Sequence, residues 1–283
     1  MHPLISTEAL AAALNGERPP VVLDVRWRLG GPPGRQDYEV AHIPGAEYAD
    51  LDAELSAPPG PAGRHPLPDP EQLQRVLRAA GVRTGHPVVA YDAGDGSVAA
   101  RVWWLLRWAG HEEVAVLDGG FAAWTAEGRE VTAETSTPTP GDIEVRPGGM
   151  PVVDADGAAD LARTGVLLDA RAAPRYRGET EPVDPRAGHV PGALNAPSTE
   201  HVGPDGRWLP AADLATRFRA IGVTEDARIG AYCGSGVTAS SVVLALEVAG
   251  LTDKDAPATL YAGSWSNWSA DPNRPAATGP DAG

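Results

Sequence analysis

Apolar residues occur along this chain in short continuous runs that alternate with stretches in which they recur every three or four positions. The short runs predict buried strands, at residues 21–26, 88–91, 114–117, 166–171 and 229–232. The periodic stretches predict helices, at about residues 7–14, 70–80, 98–109, 210–221 and 238–249. Strands that alternate with helices are typical of a parallel sheet covered by helices, so the pattern predicts an α/β fold.

The same series of elements occurs twice, which indicates an internal repeat. Each half has an Asp-x-Arg strand end, a His-x-Pro-Gly-Ala turn and a strand ending in tyrosine, at Asp24 and Asp169, His42 and His189, and Tyr91 and Tyr232. We therefore predict two α/β domains of one design, over residues 1–130 and 151–270. Composition predicts a Pro/Thr/Gly-rich linker over residues 131–150 and a flexible tail over residues 271–283.

The single cysteine of the chain, Cys233, lies between the predicted strand at 229–232 and the helix that follows it. Glycines at 234 and 236 let the backbone turn tightly, so that its N–H groups and the helix N-terminus converge on one centre. Such a field favours the thiolate, the nucleophilic form of cysteine. A buried structural cysteine is the alternative. The first half has Asp92 at this place, so we predict one active site, in the second domain.

Composition excludes several classes of function. Lys and Arg number 23 against 38 Asp and Glu, and this net charge of −15 argues against nucleic acid or anionic membranes as partners. One cysteine excludes an intrachain disulfide framework, and the seven histidines form no metal-ligand pair, so we expect no metal and no cofactor. Residues 1–13 lack a signal-peptide pattern and no apolar window reaches a membrane span, which predicts a cytoplasmic protein.

These motifs together resemble the tandem rhodanese family of sulfurtransferases, over nearly the whole chain. The resemblance implies two tandem rhodanese-like domains, each a parallel sheet flanked by helices, with the catalytic cysteine in the second. Residues 233–238, Cys-Gly-Ser-Gly-Val-Thr, look like the loop of 3-mercaptopyruvate sulfurtransferases, whereas thiosulfate-preferring members usually carry basic residues there. The implied reaction forms a persulfide on Cys233. A thiol, cyanide or a thioredoxin-like protein then accepts the outer sulfur.

The resemblance also implies roles for particular residues. The backbone N–H groups and hydroxyls of the loop are expected to stabilise the persulfide. The residues concerned are Gly234, Ser235, Gly236, Val237 and Thr238. Arg177 and Arg186 match the two arginines that bind the carboxylate of the donor, and the alternative is a pair of solvated loop charges. His42 matches a histidine proposed to handle protons with the loop serine, and Asp37 is the expected aspartate. A purely structural turn histidine is the alternative for His42.

Four other interpretations stay open at this point. Thiosulfate is the alternative donor, and a non-catalytic rhodanese binding module is the alternative to an enzyme. Gly94-Asp95-Gly96-Ser97-Val98-Ala99 is close to a dinucleotide-binding fingerprint, although the repeat explains its glycines without a cofactor. A cysteine-dependent phosphatase or arsenate reductase needs a longer loop that closes on arginine, and no arginine stands between Cys233 and the following helix.

Overall fold

The computed structural model describes residues 1–224 and 226–283, and these residues form two compact units. Unit 1 comprises Met1–Ala57, Pro68–Gly149 and Val202–Trp208, and unit 2 comprises Pro58–Leu67, Met150–His201 and Leu209–Gly283. Each unit therefore contains a short segment from the other half of the sequence. The sequence predicts two domains separated by one linker, and that prediction does not include these exchanged segments.

Unit 1 contains a sheet of five parallel strands in the order β1-β5-β4-β2-β3. The strands are β1 (Leu4–Ile5), β2 (Val21–Asp24), β3 (Ala46–Tyr48), β4 (Val88–Tyr91) and β5 (Val114–Leu117). The helices are α1 (Thr7–Leu14), α2 (Gly34–Val40), α3 (Pro70–Ala79), α4 (Ala99–Trp108) and α5 (Gly120–Ala126). All four residues of the central strand β4 are buried, as expected of a strand with helices on both faces of its sheet.

Unit 2 repeats this design, with parallel strands in the order β6-β10-β9-β7-β8. The strands are β6 (Val152–Val153), β7 (Val166–Asp169), β8 (Leu194–Asn195), β9 (Ile229–Tyr232) and β10 (Thr259–Tyr261). The helices are α6 (Ala155–Thr164), α7 (Ala173–Tyr176), α8 (Ala211–Ala220), α9 (Ala239–Val248) and α10 (Ser264–Trp268). The prediction of two parallel α/β sheets is confirmed. None of the helices in the described ranges is long and apolar enough to cross a bilayer.

Local chemistry explains where the predicted helices begin. The Ser6 side chain accepts a hydrogen bond from the N–H of Ala9 at 3.1 Å and caps α1. Asp69 caps α3 in the same way, accepting from the N–H groups of Glu71 and Gln72 at 3.0 Å each. Pro70 occupies the first helical position, where its missing N–H costs nothing.

A buried ion pair follows the second strand of each sheet. Arg26 lies 2.7 Å from Asp24, and Arg171 lies 2.5 Å from Asp169. Carboxylate–guanidinium pairs of this kind are stable in the interior only when further hydrogen bonds complete them. Arg171 also donates to the carbonyl of Gly188 at 2.7 Å. The repeated Asp-x-Arg motif is thus explained by the fold, because it joins the strand end to the loop that contains the His-x-Pro-Gly turn.

The segment predicted as a linker packs instead on unit 1. Thr132 forms an antiparallel bridge with His42, the N–H of Gly141 donates to the carbonyl of Arg78 at 2.7 Å, and Ile143 is buried. Each contact satisfies a backbone group or removes an apolar side chain from water. Its Pro/Thr/Gly-rich composition alone did not show these contacts.

The segment predicted as a flexible tail likewise packs on unit 2. Ala277 and His189 exchange two backbone hydrogen bonds of 2.9 and 3.0 Å, and the N–H of Gly279 donates to the carbonyl of Arg177 at 2.9 Å. The indole N–H of Trp268 donates to the carbonyl of Pro275 at 2.8 Å. The tail therefore supplies hydrogen-bond partners to the turn at His189.

Candidate active site

Cys233 lies at the carboxyl end of β9, the central strand of the sheet in unit 2, and is buried. Its Sγ accepts hydrogen bonds from the N–H groups of Ser235 at 3.4 Å and Gly236 at 3.1 Å. Gly236 has a φ of +85°, and a Cβ there would lie 2.4 Å from the carbonyl oxygen of Ala262. Glycine is therefore required for a turn that brings backbone donors to the sulfur.

More backbone donors follow in the same turn. In the described part of unit 2, no hydrogen bond is made by the N–H groups of Val237, Thr238 and Ala239, where α9 begins. We call the five N–H groups of residues 235–239 the amide nest. Two of them contact Sγ, and three remain for an anionic atom bound to it.

Ser235 links the cysteine to a histidine that the sequence analysis did not single out. The Ser235 hydroxyl lies 2.7 Å from Nδ1 of His65, and both side chains are buried. The hydroxyl can donate to Nδ1 or accept from it, depending on the tautomer of the ring. His65 and the Ser235 hydroxyl thus form a buried hydrogen-bonded pair on a residue whose backbone N–H contacts Sγ at 3.4 Å.

His65 comes from Pro58–Leu67, the segment of the first half that belongs to unit 2. The N–H of Arg64 donates to the Ser266 hydroxyl at 3.0 Å, and the Asn267 side chain donates to the carbonyl of Pro61 at 2.7 Å. Both partners lie on α10. The segment contains none of the repeated motifs, so neither repeat alignment nor periodicity marks His65.

Two guanidinium groups lie against the loop. A Cβ at Gly234 would lie 3.0 Å from Nη2 of Arg64 and 3.5 Å from Nη1 of Arg175. The other Nη of each arginine pairs with Asp184, at 2.7 Å from Arg64 and 3.1 Å from Arg175. Glu181 pairs with Arg175 at 2.6 Å. The loop therefore has cationic neighbours although its own sequence contains no basic residue.

The environment of Glu181 keeps it ionised. Burial raises the pKa of its carboxyl, but the N–H of Asp184, the Arg175 guanidinium and the N–H of Val183 outweigh burial and lower the pKa overall. The carboxylate also lies 3.4 Å from Arg171. Glu181 thus joins the buried Asp169–Arg171 pair to the arginines at the loop.

The two arginines expected to bind the donor have other partners. Arg177 pairs with the exposed carboxylate of Glu179 at 2.6 Å. Arg186 donates to four main-chain carbonyls at 2.7–3.2 Å, those of Trp268, Ser269, Asp271 and Arg274. Arg177 also has helical backbone angles, so the two side chains, two residues apart, point about 200° away from each other, and it is Arg175 that lies at the loop. The sequence Arg175-Tyr176-Arg177 alone does not reveal which arginine faces inward.

His42 and Asp37 both lie in unit 1, and the structure gives them partners there. The His42 ring stacks on Tyr38 with centroids 3.9 Å apart, and its Nδ1 lies 2.7 Å from the carbonyl oxygen of Tyr38. Its repeat partner His189 makes the same contacts to Tyr176, at 3.8 and 2.8 Å. Asp37 forms an exposed pair with Arg28 at 2.6 Å. The geometry therefore supports the structural alternative for His42.

Both halves of the chain match the same family of known proteins. The model of the Rhodanese-like domain family matches residues 6–127 and residues 154–271, once in each half. The chain belongs to this family. A Pseudomonas aeruginosa protein named probable 3-mercaptopyruvate sulfurtransferase is 49% identical over 98% of both chains. The putative thiosulfate sulfurtransferase SseB of Mycobacterium tuberculosis is 40% identical over 98% of this chain and 97% of its own.

A solved structure agrees with these matches. The crystal structure of SseA from Escherichia coli, described as a 3-mercaptopyruvate sulfotransferase, aligns with a TM-score of 0.82 at 32% identity. It covers 94% of this chain and 100% of that chain. The prediction of a sulfurtransferase with two tandem rhodanese-like domains is confirmed. Within residues 1–224 and 226–283, no three His, Cys, Asp or Glu side chains are grouped so that they could hold a metal ion.

Proposed function

We propose that this protein transfers a sulfane sulfur from 3-mercaptopyruvate to a thiol or cyanide acceptor through a persulfide on Cys233. The observation that carries the proposal is the amide nest beside Sγ, with two arginines at the loop. A persulfide anion needs donors for a second sulfur, and the nest has three N–H groups to spare. The names of the two relatives with the greatest identity reported above are those of sulfurtransferases.

In the first half-reaction, the Cys233 thiolate attacks the sulfur of 3-mercaptopyruvate. The S–S bond forms as the C–S bond breaks, and the electron pair of that bond passes to carbon, which leaves as the enolate of pyruvate. The enolate carbon then takes the proton lost by the persulfide, so that pyruvate is released. We assign this proton transfer to Ser235 and His65, because their side chains are 2.7 Å apart beside the thiol.

Arg64 and Arg175 are the residues that we propose to bind the donor's carboxylate. Their Nη2 and Nη1 atoms are the guanidinium atoms nearest to Gly234, and a fork of two donors suits a carboxylate. The resemblance to the family implied Arg177 and Arg186 for this role. The contacts of those two residues, with an exposed glutamate and with four carbonyls, favour structural roles instead.

In the second half-reaction, the acceptor attacks the outer sulfur and the Cys233 thiolate leaves. Cyanide gives thiocyanate, and a thiol gives a new persulfide on the acceptor. A thioredoxin-like protein in the cytoplasm remains our proposal for the acceptor in the cell. The hydroxyl of Thr238 is a further proposed donor to the persulfide, since Thr238 immediately precedes α9.

Thiosulfate is the second candidate donor, and one specific observation favours it. The 40% identical relative is named a putative thiosulfate sulfurtransferase. Thiosulfate is a dianion, and two arginines at the loop could bind it. In that half-reaction the S–S bond of thiosulfate breaks and sulfite leaves in place of pyruvate.

The test compares kcat/KM for the two donors with cyanide as acceptor. We expect a preference for 3-mercaptopyruvate, and Arg175→Ala is expected to raise KM for this donor at least about tenfold by removing a charge-assisted contact. Arg177→Ala is the matched control, because it removes an arginine two residues away that pairs with the exposed Glu179, and is expected to change KM less than about twofold. If Arg177→Ala abolishes the preference and Arg175→Ala does not, our assignment of the two arginines is reversed. A preference of the wild type for thiosulfate contradicts the proposed donor.

A further inference from the structure

Asp184 bridges the two arginines at the cysteine loop. Its side chain is only 3% exposed, and its carboxylate oxygens lie 2.7 Å from Arg64 and 3.1 Å from Arg175. Its backbone N–H donates to Glu181 at 3.0 Å, which fixes the position of the residue. Nothing in the reaction steps above uses this buried carboxylate.

The charges around the loop cancel in pairs. Arg64 and Arg175 contribute two positive charges, and Glu181 and Asp184 contribute two negative ones, within direct ion-pair distances of 2.6–3.1 Å. The loop therefore faces guanidinium donors that carry little net positive charge. Such a site has the forked N–H donors that bind a carboxylate, but it lacks the strong positive electrostatic potential that would attract more highly charged anions.

We propose that Asp184 determines donor specificity by charge, favouring a singly charged donor over a doubly charged one. The proposal rests on the proposed function, since 3-mercaptopyruvate carries one carboxylate charge at neutral pH and thiosulfate carries two. A negative charge near the site repels a dianion about twice as strongly as a monoanion at the same distance. Asp184 contacts the same two guanidinium groups that lie against the loop, so its charge is close enough to repel a bound dianion more strongly than a bound monoanion.

The test replaces Asp184 by its uncharged isostere and measures kcat/KM for donors of different charge. Asp184→Asn is expected to raise the ratio of thiosulfate to 3-mercaptopyruvate by about tenfold, and added salt is expected to shrink the rise. Asp184→Glu keeps the charge and is expected to leave the ratio within about twofold of the wild type. Arg64→Gln removes a positive charge from the same ion pair and is expected to shift the ratio in the opposite direction.

Glu179→Gln is the matched control for overall charge. It changes the net charge of the protein by the same single unit, but Glu179 is an exposed residue paired with Arg177. Its ratio of donors is expected to stay at the wild-type value. Thermal unfolding of all four variants reports whether each remains folded at the assay temperature.

A third donor separates failure of this inference from failure of the proposed function. Methanethiosulfonate presents the same kind of sulfur as thiosulfate but carries one charge. If the wild type does not use 3-mercaptopyruvate, the proposed donor is wrong, and the ratio of thiosulfate to methanethiosulfonate still measures the effect of Asp184. The inference is overturned if folded Asp184→Asn lowers kcat/KM for all donors equally, because Asp184 then only holds the arginines in place.

Discussion

The turns after the two central strands share one backbone design and hold different side chains, the carboxyl group of Asp92 and the thiol of Cys233. After β4, the N–H of Phe121 donates to the carbonyl of Asp92 at 2.9 Å, and after β9, the N–H of Trp265 donates to the carbonyl of Cys233 at the same distance. Each turn opens a buried helix, α4 or α9. The turns differ in the residue that follows the strand, Asp92 or Cys233, and in length, because the segment before the helix spans residues 92–98 in unit 1 and residues 233–238 in unit 2.

The Asp92 carboxylate fills the counterpart of the amide nest in unit 1. It accepts four N–H groups at 2.9–3.1 Å, those of Gly94, Gly96, Val98 and Ala99. Burial raises the pKa of this carboxyl, and the N–H groups oppose that rise. A nest of N–H groups therefore faces the side chain at this position in both units. Unit 1 fills it with a fixed carboxylate, whereas unit 2 has a single thiol sulfur and spare donors.

The largest effect is expected from removing the sulfur itself. Cys233→Ser is expected to lower sulfur transfer to cyanide at least about 10³-fold, because a hydroxyl cannot form the persulfide. The free energy of unfolding is expected to change by less than about 1.5 kcal/mol, since serine is similar in size. Steady-state turnover and urea unfolding measure the two quantities. Activity that survives in folded Cys233→Ser would falsify the role of this thiol.

Removal of the carboxylate in unit 1 tests the other half of the comparison. Asp92→Ala leaves four N–H groups without their acceptor and is expected to lower the free energy of unfolding by about 3 kcal/mol. Asp95→Ala is the control in the same loop, where the carboxylate accepts only from Ser97 in the described contacts, and is expected to cost about 1 kcal/mol. Urea unfolding compares the variants. Equal stability of Asp92→Ala and the wild type contradicts the idea that these N–H groups require a side-chain acceptor.

Much of this fold could be predicted from the sequence because both halves present the same pattern. The strands at 88–91, 114–117 and 229–232 begin and end where their apolar runs do, and Cys233 was found at its turn from sequence alone. The strands of only two residues, β1, β6 and β8, could not be found this way. These strands are too short to show a periodic pattern of apolar residues, and only their hydrogen bonds to neighbouring strands define them.

The site could be predicted only where its residues are local in sequence. Ser235 lies two positions from Cys233, whereas His65 lies 170 positions from Ser235. The contact depends on a segment of the first half being part of unit 2, which no local pattern encodes. Arg175 and Arg177 lie two positions apart at the end of α7, and their side chains leave the helical backbone on opposite sides. These contacts are set by the tertiary structure, and the family resemblance implies His42 and Arg177 for the roles that we propose for His65 and Arg175.

A smaller effect on kcat is expected at Ser264, the first residue of α10. Ser264 has a φ of +53°, an unusual conformation for a residue with a side chain, and its counterpart Gly120 has the same angle. The Ser264 hydroxyl accepts from the N–H of Cys233 at 3.1 Å and donates to the carbonyl of Tyr261 at 2.9 Å. The hydroxyl thus holds the backbone of the cysteine, a contact that glycine in unit 1 cannot make.

Ser264→Gly is therefore expected to lower kcat by about tenfold while the free energy of unfolding changes by about 1 kcal/mol or less. Relief of the strained angle offsets part of the lost hydrogen bonds. Ser269→Ala is the control, because Ser269 is a nearby buried serine whose hydroxyl has no partner among the described residues. If kcat is unchanged in Ser264→Gly, the hydroxyl does not position Cys233. The rate of Cys233 alkylation, measured as a function of pH, is a second test of whether Ser264 positions the thiol.

The smallest effect on activity is expected at the turn histidines, where the units agree. His42 and His189 are both buried, and each stacks on a tyrosine at 3.8–3.9 Å. His42→Asn and His189→Asn are each expected to lower the free energy of unfolding by about 1–2 kcal/mol through lost stacking and hydrogen bonds, with kcat within about twofold of the wild type. Urea unfolding and steady-state assays on both variants provide the comparison. A large loss of kcat in stable His42→Asn, without one in His189→Asn, restores the proton-handling role for His42 and shows that the two turns are not equivalent.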